Sequence, residues 1–115
     1  MSASVGPVPA TWRTAVVAIL REGDTGKIML RQRAWRDWQA TFPMAWRYNL
    51  YEALAEALEQ NDLHGKRCEM KEAGETYAFF FTYQGRKLYG KINLTRPGHL
   101  VIIYSAHRPL RGNEL

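Results

Sequence analysis

Beyond His64-Gly65 the apolar period changes to two, with turn signals at Gln84-Gly85 and Pro97-Gly98. A helix repeats its faces near 3.6 residues, so this stretch is committed to strands. The pattern predicts an antiparallel meander with strands over 66–71, 76–83, 86–95 and 100–107. Gln84-Gly85 is its two-residue hairpin connection, and Pro97-Gly98 sits at the centre of a type II turn. With Arg96 opposite His99, Leu94 faces Val101, Ile92 faces Ile103, Lys91 faces Tyr104 and Lys87 faces Arg108. Counting back across the hairpin sets Phe81 against Leu88, Phe79 against Gly90 and Tyr77 against Ile92. One face then holds Tyr77, Phe79, Phe81, Leu88, Ile92, Leu94, Val101 and Ile103, an apolar surface that other elements must cover. The opposite face holds Phe80, Thr82, Lys87, Tyr89, Lys91, Asn93, Ile102, Tyr104 and Arg108, which mixes cations with rings.

The covering elements lie upstream. Trp12, Ala15, Val16, Ile19 and Leu20 recur at helical spacing and Gly23 offers a stop, so a helix is expected over 11–22. Residues 26–39 read both ways: Ile28 and Leu30 alternate like a strand, while Leu30, Ala34 and Trp38 align on a helix face, and helix is favoured. Thr41-Phe42-Pro43 resembles a helix entrance, and Trp46, Leu50, Leu54, Ala57 and Leu58 continue it as one stripe over 42–60. Residues 1–10 form a loose lead-in and 11–115 a single domain. The fold class is α+β, with N-terminal helices packed on one face of a four-stranded antiparallel sheet.

A chain of 115 residues supports one core. Its longest apolar run, Ala15 to Leu20, is far short of a membrane span. Met1 to Ala10 lacks the basic and apolar segments of a secretory signal. The lone Cys68 excludes an internal disulfide and a cysteine zinc finger, which makes the cytoplasm the expected compartment. The net charge of +5 is unevenly placed, because six cations and no carboxylate fall between Thr76 and Asn113. A one-sided basic segment points to a polyanionic partner, with surface solubility as the plainer reading.

Phosphates require Lys and Arg while unstacked bases require aromatic planes, so the basic, ring-bearing face suits single-stranded RNA. The competing reading is that helices or a partner cover Phe80, Tyr89 and Ile102. RNA contacts are expected from Tyr89, Asn93, Phe80, Arg86 and Arg111. Cleavage without a metal needs a group to take the 2′-hydroxyl proton, one to protonate the leaving 5′-oxygen, and cations on the phosphate. His107, Arg108, Lys91, Lys87 and Tyr104 are the candidates for this work, since no carboxylate lies nearby in sequence. Strict alternation aims His107 at the core face, so it joins them only through a bulge or an early strand end. No metal or other cofactor is expected: His64, His99 and His107 lack ligand spacing, and no Walker or dinucleotide motif occurs. Cys68 reads as a small core residue, and Glu52, Glu56 and Glu59 as a solvated helix face. Arg31, Arg33, Arg36 and Arg47 interleave with Trp35, Trp38 and Trp46, a pattern that either clasps nucleic acid or packs as core and lid, with core and lid favoured.

A helix followed by a curved antiparallel sheet, with Gly85-Arg86-Lys87-Leu88-Tyr89-Gly90-Lys91 and Ile103-Tyr104-Ser105-Ala106-His107-Arg108 on its later strands, resembles the RelE-like and barnase-like ribonuclease toxins over Tyr48 to Pro109. That resemblance implies mRNA cleavage by Lys87, Lys91, Tyr104, His107 and Arg108 and pairing with a cognate antitoxin. A second likeness, of Thr14 to Leu20 and Gly26 to Arg33 to the opening strands of a Nudix hydrolase, lacks the glutamate-rich metal box. The expected function is a metal-independent endoribonuclease of toxin type. The alternative is a non-catalytic nucleic-acid- or protein-binding module, phage- or plasmid-encoded.

Overall fold

In a computed structural model, residues 5–95, 100–110, 112 and 114–115 are described. The elements follow in the order β1 (Val5–Pro7), α1 (Ala10–Glu22), β2 (Ile28–Leu30), α2 (Gln32–Thr41), α3 (Arg47–Leu58), β3 (His64–Cys68), β4 (Glu75–Tyr83), β5 (Arg86–Leu94) and β6 (Val101–His107). They build an α+β fold around a six-stranded mixed sheet of order β1-β3-β4-β5-β6-β2.

The expected meander forms its centre. Gln84 (φ 50°) and Gly85 (φ 74°) both adopt the left-handed region that a tight hairpin of this twist demands. The β4–β5 register sets Phe81 on Leu88, Phe79 on Gly90 and Tyr77 on Ile92. Leu94 opposes Val101 and Ile92 opposes Ile103. The Pro97-Gly98 turn and the Arg96–His99 pair lie outside the described residues.

The sheet exceeds the expected four strands at both edges. Val5–Pro7, expected within a loose lead-in, pairs antiparallel with β3, and Val8 behind it is buried. Ile28–Leu30 lies parallel to Val101–Ile103. That ladder is extended by Val101 N–H to Lys27 O (2.9 Å) and Arg31 N–H to Ile103 O (3.1 Å). The ambiguous stretch is therefore strand and then helix, because β6 leaves an edge with unpaired peptide groups that three residues of alternating sequence satisfy. In α2, Ala34 and Trp38 turn to the core.

The helix expected over 42–60 starts later, at Arg47. Thr41 does not cap it, since its hydroxyl donates within α2 to Asp37 O (3.2 Å). The cap is at Trp46, whose N–H donates to Asn49 Oδ1 (2.8 Å). Leu50, Leu54 and Leu58 on one side of α3 are fully buried. Each contributes about 1.5–3 kcal/mol by leaving water. α1 packs on α3, with Trp12 edge-on to Tyr77 at 4.9 Å. Arg13, itself buried, donates from Nη1 to Leu58 O (2.9 Å) and Gln60 O (3.1 Å), satisfying carbonyls that the end of α3 leaves open. No helix among the described residues is long and apolar enough to cross a membrane.

Candidate functional site

The helices cover the face of Tyr77, Phe79, Phe81, Leu88, Ile92, Val101 and Ile103, all buried. Across the other face the register aligns Phe80 with Tyr89 and Tyr89 with His107 on three neighbouring strands. His107 arrives there because β6 carries a bulge. Ile103 pairs with Ile92, but the next pair is Ser105 with Lys91, so Tyr104 is an extra residue and everything beyond it changes sides. Ala106 enters the core in its place. The bulge also displaces two expected pairs: Lys91 opposes Ser105 rather than Tyr104, and the expected pair of Lys87 with Arg108 does not form, because the β5–β6 ladder ends at Tyr89 and His107.

The result is a row of rings. Phe80 meets Tyr89 edge-on at 6.4 Å, and Tyr89 lies nearly parallel to the His107 imidazole at 5.1 Å, with 19° between planes. Lys87 Nζ stands 4.1 Å over the Phe80 ring and Lys91 Nζ 6.0 Å from the Tyr89 ring. Burial pushes the Tyr89 phenol above its ordinary value. His107 Nδ1 lies 2.7 Å from Arg108 O. A carbonyl only accepts, so Nδ1 carries the proton and the neutral ring keeps its lone pair on Nε2.

The rest of this face is covered. The connection 69–74 between β3 and β4 turns back over the sheet as a strap. Asn93, expected to contact RNA, is fully buried beneath it: Oδ1 accepts from Thr76 Oγ1 (2.9 Å), and Nδ2 reaches Ala73 O (3.5 Å). Its role is to hold the strap, and no nucleic acid reaches it. Ile102 is buried as well. Glu72 in the strap pairs with Arg31, whose guanidinium also sits 5.7 Å over the Tyr104 ring. The Tyr104 hydroxyl is buried without a partner in hydrogen-bond geometry. Burial first, and the nearby Glu72 carboxylate second, push this phenol from 10.0 up to about 12. The neutral phenol is therefore the form favoured at this position.

Between the ring row and α2 lies a cleft of about 350 Å³. Its walls are Arg33 and Asp37 from α2, Tyr89 and Lys91 from β5, Tyr104, Ser105 and His107 from β6, and Leu110, Glu114 and Leu115 beyond. The fold thus gathers Tyr89, Lys91, Tyr104 and His107 of the expected residues. Lys87 and Phe80 line a separate depression against α3. Four residues along one strand, Lys87 is about 13 Å from Lys91 at the backbone. Arg86 lines a third hollow with Pro43, Met44 and Tyr83. Arg108 is exposed, and Arg111 lies outside the described residues.

Asp37 and Ser105 are not singled out in the sequence, and Arg33 only within the arginine–tryptophan stretch for which core and lid roles are favoured. The expectation that no carboxylate is at hand fails because α2, some seventy residues upstream, supplies Asp37, and Glu114, just past the carboxylate-free stretch, lines the cleft as well. Ser105, His107 and Asp37 share the cleft, yet His107 Nδ1 is held by a backbone carbonyl and not by Asp37, so the orientation of a hydrolase triad is not set up. Cys68 is half-buried with its thiol turned to Lys66 O (3.5 Å) rather than in the core, and His64 is held by Asp62 O (2.8 Å). His99 lies outside the described residues. No cluster of three or more His, Cys, Asp or Glu able to hold a metal occurs among the described residues. No protein-family model matches the chain, and no curated protein or solved structure matches it either.

Proposed function

We propose that the protein binds single-stranded RNA along the ring row and cleaves it in the adjoining cleft, without a metal, by internal transesterification. The observation that carries this reading is the β6 bulge, which delivers His107 to the aromatic face beside Lys91 with Nε2 free. A base stacks on Tyr89, and the phosphate that follows it enters between Lys91 and Arg33. His107 Nε2 takes the 2′-hydroxyl proton, and the 2′-oxygen attacks phosphorus. The bond from phosphorus to the 5′-oxygen breaks, and that oxygen takes a proton from the Lys91 ammonium. Lys91 and Arg33 neutralise the charge gathering on the non-bridging oxygens. The products are a 2′,3′-cyclic phosphate and a 5′-hydroxyl, and exchange with water resets both side chains. Lys87, at the far end of the row, holds the backbone of a neighbouring nucleotide. A cytoplasmic location and a cognate neutralising protein accompany a toxin of this kind.

Incubation with unstructured RNA in excess chelator tests the reading. Cleavage to cyclic-phosphate ends, lowered about 10²–10⁴-fold in His107→Ala, is the expected result. Intact RNA, or cleavage that chelator abolishes, overturns it. The Phe80–Tyr89–His107 platform would equally serve a protein that grips RNA without cutting. That second reading predicts binding that Tyr89→Ala weakens and no product at any enzyme concentration.

A further inference from the structure

One wall of the cleft is α2, and the surface beyond that helix repeats the same chemistry. Between Gly26 and Tyr51 the chain has five cations and a single carboxylate, Asp37. None of the ion pairs among the described residues uses Arg33, Arg36 or Arg47. With Ala34 and Trp38 aimed at the core, a helical step of about 100° puts Arg36 beside Arg33 on the solvent side of α2 and carries Trp35 round to the far flank. There the Arg47 guanidinium lies 5.1 Å over the Trp35 ring. Next to Arg47 in sequence, Trp46 is 70% exposed, and Tyr48 is 63% exposed. Two large rings left in water are unusual for a chain that buries Trp12 and Trp38.

We propose that single-stranded RNA leaving the cleft crosses α2 over Arg33 and Arg36 and ends stacked on Trp46 and Tyr48. The substrate is therefore a long unpaired strand rather than a di- or trinucleotide. This rests on the RNA reading of the cleft and extends it. Charge selects a polyanion; rings alternating with guanidinium groups, in line with a cleft that already combines the two, select a nucleic acid over an acidic protein segment.

The test uses oligonucleotides with 2′-O-methyl riboses, which lack the nucleophile and stay intact, in lengths of about four and roughly twelve residues. Fluorescence anisotropy should show the longer one binding at least about tenfold more tightly, and Arg36→Glu and Trp46→Ala should each erase most of that difference. Both residues are exposed, so both variants fold, and both should leave the affinity for the short oligonucleotide unchanged. Equal affinity for the two lengths, or a length advantage that survives both substitutions, overturns the proposal. Binding of polyglutamate that Trp46→Ala abolishes, with no length advantage for RNA, also overturns it and reassigns the surface to an acidic protein. A length advantage that both variants erase, in a protein that leaves unmodified RNA intact, supports the path across α2 while removing the cleavage reading.

Discussion

Asn93→Ala separates the two roles that this residue has been given. Truncation removes the acceptor of the Thr76 hydroxyl and the donor that reaches Ala73 O, both beneath the strap. Thr76 is only 2% exposed, so water does not replace the lost partner. An orphaned buried hydroxyl costs about 1–3 kcal/mol, and the weaker contact to Ala73 adds a few tenths, which gives about 1.5–3 kcal/mol in all. For a domain of this size that lowers Tm by roughly 6–15 °C. Urea and thermal unfolding, followed by circular dichroism, measure it. In a cycle with Thr76→Val, the double variant should lose about 1 kcal/mol less than the sum of the singles, because the orphan has been removed with its partner. A loss below about 0.5 kcal/mol, or weakened RNA binding at unchanged Tm, would refute the structural role and return Asn93 to the binding face.

Gly74, in the same strap, has φ +133°, and a Cβ there would stand 2.2 Å from Leu94 O; Gly74→Ala should cost at least about 1–3 kcal/mol in urea unfolding, and equal stability would show that the strap adapts. The Glu72 carboxyl is held below its ordinary range by the Tyr104 phenol first, and also by its own backbone and by Arg31, so its contribution is complete above pH 4.5 and lost as pH falls through the lowered value. Glu72→Gln should flatten that acid limb of the stability profile, and an unchanged limb would refute the assignment. Tyr104 has the opposite sign: its neutral form is favoured, so that stability is complete below pH 10 and lost as pH rises towards about 12. Absorbance titration should show a step towards about pH 12 that Tyr104→Phe removes, and an unchanged curve in that variant would contradict the buried phenol.

What the sequence disclosed followed from short-range rules. Gln84-Gly85 fixes its hairpin through backbone angles that few other dipeptides adopt, and the register counted from that turn puts Tyr77, Phe79 and Phe81 on one face. The features that were missed are settled by distant partners. Ile28–Leu30 is too brief to declare itself and becomes a strand only because β6 offers an open edge. The extra residue at Tyr104 has no local signature, yet it decides which way His107 points. Asn93 looks like a polar surface residue until the strap is laid over it. Arg33 and Asp37, four apart on one flank of α2, were visible as neighbours, but nothing in the sequence says that this flank faces β6.

The parallel pairing of β2 with β6 has a consequence for synthesis on the ribosome. The segment that forms β2 and α2 is made early, but its docking site on the last strand leaves the exit tunnel some seventy residues later. Until then Ile28 lacks its neighbouring strand, and the flank of α2 that carries Arg33 stands apart from His107. An incomplete nascent chain thus lacks the cleft, whose two walls meet only once β6 has been made and has paired with β2.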